Sequence, residues 1–492
     1  MAQKVIDNVV TYTTPQAMMQ AIDDNFDELY NIVANTYNTV ALLRAETVTP
    51  TTGSSVMLLG HTSIGDGGGG VFYWDSTSTA TDDSGTIIKL TTITTGRYMR
   101  LIEGVYVTPK MFGAVGNGST DDTIAITKTI ASAVAKKLVL YITPGTYKIT
   151  STLAITNPIT ILGDQERSII APNFTTGDVI TVTSVSGEGG FNMNGIQIKP
   201  SVTRTSGHLL NVISCYYTDI HNCLFTSGYN GVGLTGSSGW YFHMRDCIVC
   251  NQTNYGITIT ADSSGQGPVD VSISNVLLHG TSQASQMIAG INIGTCGDIT
   301  LHHISTMWTG ISLRVAPVAA KIVQALYVTN CFFDTGNSHG IYVYPTSTGV
   351  VQLLKIADCW VASNSLSGIY IGGGGGAVQQ VDIVNTVSSA NLVDGIVINT
   401  NATNTNLTGC SCSANSNNGV SVQANASLFR VTNCTLGASG QFGGNTQRGM
   451  LVSPGTSNNY IIKNNIFRSN GLAGLYDGGT GVTKVVSDNL TM

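Results

Sequence analysis

Side chains able to do acid–base chemistry are few in this chain and unevenly placed. Only 28 of the 492 residues are Asp or Glu, and no glutamate follows Glu188, so any carboxylate pair beyond that point must be built from aspartates. One group stands out by its spacing. Asp219 and His221 alternate in one short stretch, His243 and Arg245 alternate in the next, and both stretches run into an Asn/Asp-Cys phrase. A carboxylate beside an imidazole raises its proton affinity, and a protonated imidazole can donate to a leaving oxygen. An arginine alongside suits a carboxylate-bearing ligand. Tyr216, Tyr217, Trp240 and Tyr241 come just before the two stretches and offer flat apolar faces. Asp219 and His243 are therefore the first catalytic candidates, with His221, Arg245, Tyr241 and Trp240 as binding candidates. Asp334 and Asp394, beside repeated glycines, and Glu188, in Ser186-Gly-Glu-Gly-Gly190, are rival acids in variable loops. The competing reading makes the four-residue patch a solvated face or a polar contact between subunits.

What must position these residues is a repeat. A glycine followed by alternating apolar residues recurs at Gly231, Gly256, Gly290, Gly310, Gly340, Gly368, Gly395, Gly419, Gly449 and Gly474, at intervals of 20 to 34 residues. Before most of these glycines lies a short strand ending in Asn or Asp and usually Cys, as in Asp219-Ile-His-Asn-Cys223 and Val431-Thr-Asn-Cys434. Period-two strands in an irregular repeat of this length predict an all-β, single-stranded parallel β-helix whose loops vary. Aligning the Asn/Asp-Cys phrase sends Ile220, Met244, Ile273, Leu301, Val328 and Ile356 inward. Two columns then face outward. One is Asp219, His243, Ser272, Thr300, Tyr327, Lys355, Asp382 and Asn406; the other is His221, Arg245, Ser274, His302 and Thr329. Cys223, Cys247, Cys331, Cys359 and Cys434 fall at one place in the repeat and are expected to stack as buried thiols. Cys247-Ile-Val-Cys250 lacks a second pair at zinc spacing, so neither a metal nor any other cofactor is expected. Asp246 and Asp358 stand where other repeats have Asn and read as turn residues.

Composition narrows the function classes. Charged residues make up 10 % of the chain and the net charge is -6, which argues against a nucleic-acid binder. No apolar run approaches the ~20 residues that a membrane-spanning helix needs, and the N-terminus lacks the apolar core of a signal peptide. From Thr14, Met19, Ile22, Phe26, Leu29 and Val33 follow coiled-coil spacing, over too short a stretch to separate a clamp from an ordinary amphipathic helix. Residues 40 to 105 read as a small β unit with strands over 71–74, 86–90 and 97–102. The glycine run after Asp66 is a turn, since it lacks the features of a phosphate loop. Ser119 to Asp122 predicts a capping-box-like helix start, with Ile126, Ile130 and Val134 on one apolar face and the end near Lys137. Such a helix would cover the open first rung of the solenoid. Capping also explains the neighbouring Asp121 and Asp122 better than a catalytic pair does.

Phe112-Gly-Ala-Val-Gly-Asn-Gly, Thr120-Asp-Asp-Thr and Pro144-Gly-Thr-Tyr resemble the opening of pectate-lyase-like β-helices, in particular those of bacteriophage tailspikes and tail fibres. Gly65-Asp-Gly-Gly-Gly-Gly-Val-Phe-Tyr-Trp and Gly96-Arg-Tyr-Met-Arg-Leu are similar to the small domain that often precedes it in tail proteins. The resemblance implies a right-handed helix and a homotrimer assembled in the host cytoplasm and carried on the virion tail. It also implies attachment to tail or portal-adaptor proteins through the N-terminus, and binding or cleavage of host surface polysaccharide, capsule or O-antigen. The domains expected are a helical segment over 1–40, a head-binding unit over 41–105, an opening motif with its helix over 106–150 and the solenoid over 151–492. No catalytic motif of the family is recognisable, so none is carried over. An endo-glycosidase is the leading enzymatic reading and a polysaccharide lyase the weaker one. A non-catalytic fibre that only adheres to glycan is the alternative.

Overall fold

The computed structural model describes residues 35–102, 104–183, 190–236, 241–282 and 287–492. The coiled-coil-like segment from Thr14, Glu188 and Trp240 therefore lie outside the described residues. Two compact units meet at Val115–Gly116 in sequence.

In the first unit, strands Thr36–Tyr37, Ser55–Leu58, Gly70–Asp75, Arg97–Arg100 and Ile87–Ile88 form one sheet in that spatial order. A short helix, Val40–Arg44, packs Val40 and Leu43 against Val56, Leu58, Phe72, Trp74, Ile88 and Tyr98. The glycine run is a turn, as expected. Asp66 accepts from the backbone N–H groups of His61, Thr62, Ser63 and Gly68. The buried Arg100 guanidinium donates to the carbonyls of Gly68, Gly69 and Gly85. Two strands are shorter than the sequence suggests, and strands 36–37 and 55–58 were not legible because so few alternating residues carry them.

The second unit is a parallel β-helix whose stacked strands pair in parallel, with isolated antiparallel bridges in loops at Thr346–Gly375 and Ser439–Phe442. One sheet stacks thirteen strands, from Leu153–Ile155 to Leu475–Gly479. The other carries two strands per coil joined by a turn. The predicted register is the observed one: Ile220, Met244, Ile273, Leu301, Val328 and Ile356 are consecutive partners, each fully buried. The residue between the two strands is left-handed in coil after coil, with φ of 52° at Asn222, 56° at Asp246, 54° at Asn330 and 55° at Asp358. Asn and Asp tolerate that conformation, which is why they mark the phrase.

All ten cysteines are buried free thiols. Within the ladder each thiol donates to a carbonyl of its own strand and to one on the coil before, as Cys331 does to Thr329 and Leu301. The repeated glycines mark a close approach of successive coils. A Cβ at Gly395 would lie 2.5 Å from the Gly419 carbonyl oxygen, and one at Gly419 would lie 2.6 Å from that of Gly449.

A helix over Thr123–Lys136 packs on strands Val139–Tyr141, Leu153–Ile155 and Ile159–Leu162 at the start of the solenoid. Its start differs from a capping box. Ser119 and Thr120 belong to strand Asn117–Asp121, which pairs with Gly145–Ile149, and Asn117 Oδ1 takes their backbone N–H groups. Asp122 is the cap residue, but its carboxylate accepts from Gly116 N, while Asp121 accepts from Thr123 N and from the hydroxyls of Thr123 and Thr150. Both aspartates therefore have hydrogen-bonding roles at this corner.

Candidate functional site

The first outward column lies along the strands that precede the left-handed turn. Its register is Asp219, His243, Ser272, Thr300, Tyr327, Lys355, Asp382 and Asn406, residue for residue as aligned from sequence. The second column, from His221 through Arg245, Ser274 and His302 to Thr329, is likewise continuous. Three adjoining depressions follow the first column: Asn192, Tyr217, Asp219, Tyr241 and His243; then Tyr241, His243, Asp270, Asp298 and Tyr327; then Tyr327, Lys355, Asp382 and Asn406.

The four predicted patch residues are together, but their pairing is not the predicted one. Asp219 and His243 are strand neighbours, yet the Asp219 carboxylate reaches diagonally to Arg245, with Oδ2 to Nη2 at 3.0 Å. His221 Nε2 is 3.9 Å from the same oxygen, and Arg245 Nη1 is 3.7 Å from Asp246. A guanidinium offers two donors in a fixed fork and outcompetes an imidazole for a carboxylate within reach. His243 is left exposed in the groove, and Arg245 is committed to protein carboxylates instead of waiting for a ligand. Asp219 Oδ1 is buried with no hydrogen-bond partner among the described residues.

Above the column, a ridge of left-handed residues leads each strand: Tyr217 at φ 52°, Tyr241 at 62°, Asp270 at 55° and Asp298 at 53°. Tyr217 and Tyr241 are half exposed and stacked, their centroids 5.4 Å apart and their planes 4° off parallel. Asp270 and Asp298 occupy the same ridge on the next two coils, both exposed. The sequence reading missed both aspartates. The signal was present: each stands three residues before an inward residue, Ile273 or Leu301, as Tyr217 and Tyr241 do before Ile220 and Met244.

The rival acids are elsewhere. Asp334 ends strand Phe332–Asp334, beyond the turn, and accepts from the Thr335 hydroxyl at 2.9 Å. Asp394 is buried, its Oδ1 accepting from Asn417 Nδ2, Asn418 N and Asn418 Nδ2 at 2.9, 2.9 and 3.0 Å. Burial pushes its pKa up against those three donors. It braces neighbouring loops and does not reach the groove. Cys247 and Cys250 are buried, and the Cys247 thiol donates to the Arg245 and Ile220 carbonyls.

Three family models together span most of the chain. Residues 36–103 match the phage tail protein small four-stranded beta-sheet domain. Residues 107–312 match the rhamnogalacturonase A/epimerase, pectate lyase-like family, and 289–490 match the right handed beta helix region. The chain is a phage tail protein of the parallel β-helix family. The tail protein has no match among curated proteins. Among solved structures it is similar to tailspike gp49 of the Acinetobacter baumannii bacteriophage Fri1, a capsular polysaccharide depolymerase. That likeness has TM-score 0.54 and 13 % identity and covers 92 % of this chain and 75 % of the other. The Dettilon tailspike gp208 matches with TM-score 0.53 and 13 % identity, over 68 % of this chain and 67 % of that one. The A-module of the Azotobacter vinelandii mannuronan C-5 epimerase AlgE6 matches with TM-score 0.50 and 15 % identity, over 78 % and 99 %. At such identities the likeness is one of fold; the handedness comes from the right handed beta helix match over 289–490.

Proposed function

We propose that this tail protein is a tailspike that binds a host cell-surface polysaccharide along the outer groove and cuts it by hydrolysis. The observation that carries the reading is the ridge over that groove. The parallel Tyr217–Tyr241 pair is followed, on the next two coils, by the exposed carboxylates of Asp270 and Asp298. Stacked aromatic faces hold sugar rings, and groups on successive coils repeat at about 5 Å along the axis. Two carboxylates about 5 Å apart suit a double-displacement hydrolysis, one as nucleophile and one as acid and then base. Elimination from a uronic acid is the poorer fit, because Arg245, the cation that would neutralise a sugar acid, already pairs with Asp219. In this reading residues 1–105 attach the protein to the virion tail or its portal adaptor and residues 106–492 recognise the glycan. Three copies assemble into the working particle. The depolymerase activity described for the Fri1 tailspike agrees with it.

The second reading, adhesion without cleavage, rests on Asp219, whose ion pair with Arg245 removes the one acid that sequence spacing favours. Purified protein incubated with host polysaccharide separates the readings. New reducing ends without unsaturated uronate absorbance establish hydrolysis, new reducing ends with that absorbance establish elimination, and retention on the polysaccharide with neither signal establishes adhesion alone.

A further inference from the structure

A different outer face, that of the thirteen-strand sheet, carries a second constellation. Its outward column runs Asn211, Gly233, Thr258, Asn292 and Arg314 on successive coils. His208 precedes Asn211 on the same strand, and its imidazole leans along the axis to span two coils. Nδ1 lies 3.2 Å from Asp178 Oδ1 and Nε2 lies 2.8 Å from Thr258 Oγ1. Gly233 makes room for this, since a Cβ there would sit 2.8 Å from His208 Cδ2. Asp178 is itself held: Oδ1 accepts from the His208 backbone N–H at 2.7 Å and Oδ2 accepts from Asn211 Nδ2 at 2.8 Å. Burial opposes ionisation of Asp178, but the hydrogen bonds from His208 and Asn211 outweigh it and hold the carboxyl below its usual range.

The hydrogen-bond directions follow from the chemistry. An ionised carboxylate only accepts, so in the neutral imidazole Nδ1 carries the proton and Nε2 carries the lone pair. The Thr258 hydroxyl must then donate to Nε2. A hydroxyl donating to a base that a carboxylate orients from behind is the arrangement that activates an oxygen nucleophile. One coil further on, Arg314 Nη1 donates to Asn292 Oδ1 at 2.6 Å, which leaves the Asn292 amide N–H groups as donors beside the Thr258 position.

We propose that Thr258, His208 and Asp178 form a second active site that hydrolyses small carboxylic esters, independent of the glycan groove. Thr258 is the nucleophile, His208 the general base and Asp178 the positioning residue. Thr258 Oγ bonds to the ester carbonyl carbon while its proton passes to His208 Nε2, and the Asn292 amide faces the developing oxyanion. The carbon–oxygen bond to the alcohol then breaks, and the departing alkoxide takes the proton from Nε2. Water attacks the acyl carbon and gives a proton to His208 Nε2; the carbon–Oγ bond then breaks, Thr258 Oγ takes that proton back, and the carboxylic acid leaves. Thr258 is only 5 % exposed, so the smallest acyl group is the one to test.

The test uses the full chain with p-nitrophenyl acetate as substrate and a fluorophosphonate as covalent probe, the adduct being located by mass spectrometry. Wild type should turn over the ester and carry the adduct on Thr258. His208→Ala should lower the rate by on the order of 100-fold or more. Thr258→Val, which keeps shape and removes the hydroxyl, should lose both signals with unchanged circular dichroism. Thr258→Ser should keep both. Turnover undiminished in Thr258→Val, or an intact wild type with no adduct at position 258, would overturn the proposal, since a purely structural network has no reason to react with the probe.

Discussion

At the residue scale, the outer groove assigns its side chains to different tasks, and each assignment has a measurable consequence. Asp270→Asn and Asp298→Asn are expected to abolish release of reducing ends while polysaccharide binding persists. Asp219→Asn should instead free Arg245 and leave cleavage within a few-fold of wild type, because its Oδ2 serves that ion pair. Reducing-end assays on the three folded variants check this; loss of cleavage in Asp219→Asn alone would return the chemistry to the residue that sequence spacing favoured. Asp394 gives a pH prediction. Its native pKa is raised by burial, so the folded state binds its proton more tightly than the unfolded chain does. That contribution is complete below the unfolded value of about 4 and is lost as pH rises through the native value. Asp394→Asn keeps the Oδ1 acceptor and should remove this decline, seen as a melting temperature that falls less with pH than that of wild type above about pH 4. Legibility differed among these positions. Two columns of outward residues were read from the strand pattern because alternation is strict within a strand. The ridge aspartates were not, because the residue type changes from Tyr to Asp along a ridge whose offset from the inward residues is constant, and the true partner of Arg245 was not, because diagonal reach depends on side-chain length.

At the element scale, what holds the coils in register is a set of buried ladders. Cysteine supplied the visible one, because the Asn/Asp-Cys phrase repeats with its strand. A second was written as plainly and overlooked: an asparagine four residues before each of the last five repeat glycines, at Asn364, Asn391, Asn415, Asn445 and Asn470. Each of the first four gives both its backbone N–H and its Nδ2 to the Oδ1 of the next. Asn391 does so to Asn415 at 3.1 and 3.0 Å, and Asn415 to Asn445 at 3.1 and 2.9 Å. Polar residues in loops look solvated in a sequence, and only stacking reveals that these are buried. Asn415→Ala would strand the buried backbone N–H of Asn391 and take one of three acceptors from its Nδ2, a local cost of roughly 1–3 kcal/mol. Because a solenoid responds locally, the expected readout is faster hydrogen exchange at residues 391–420, with coils near residue 250 unchanged. The thiol ladder predicts that a thiol reagent labels none of the ten cysteines until the protein unfolds. Rapid native labelling of Cys331 or Cys359 would contradict their placement inside.

At the scale of the whole molecule, the solenoid and the small N-terminal sheet were legible because both announce themselves by repetition or by motif: the glycine phrase for one, Gly65 to Trp74 and Gly96 to Leu101 for the other. Assembly is argued from composition. A chain with only 10 % charged residues presents long uncharged strips, and three copies packed side by side would bury some of them. Light scattering is expected to give three times the 51.5 kDa chain mass, and deletion of residues 1–105 should prevent incorporation into particles while leaving a folded solenoid. The central claim is that the groove led by the Tyr217–Tyr241 pair is where glycan is held, and the most direct measurement is the affinity of the intact protein for host polysaccharide with and without that pair. Tyr217→Ala combined with Tyr241→Ala should weaken binding roughly tenfold or more with the melting temperature and particle mass preserved. Unchanged affinity in that folded double variant would contradict the account.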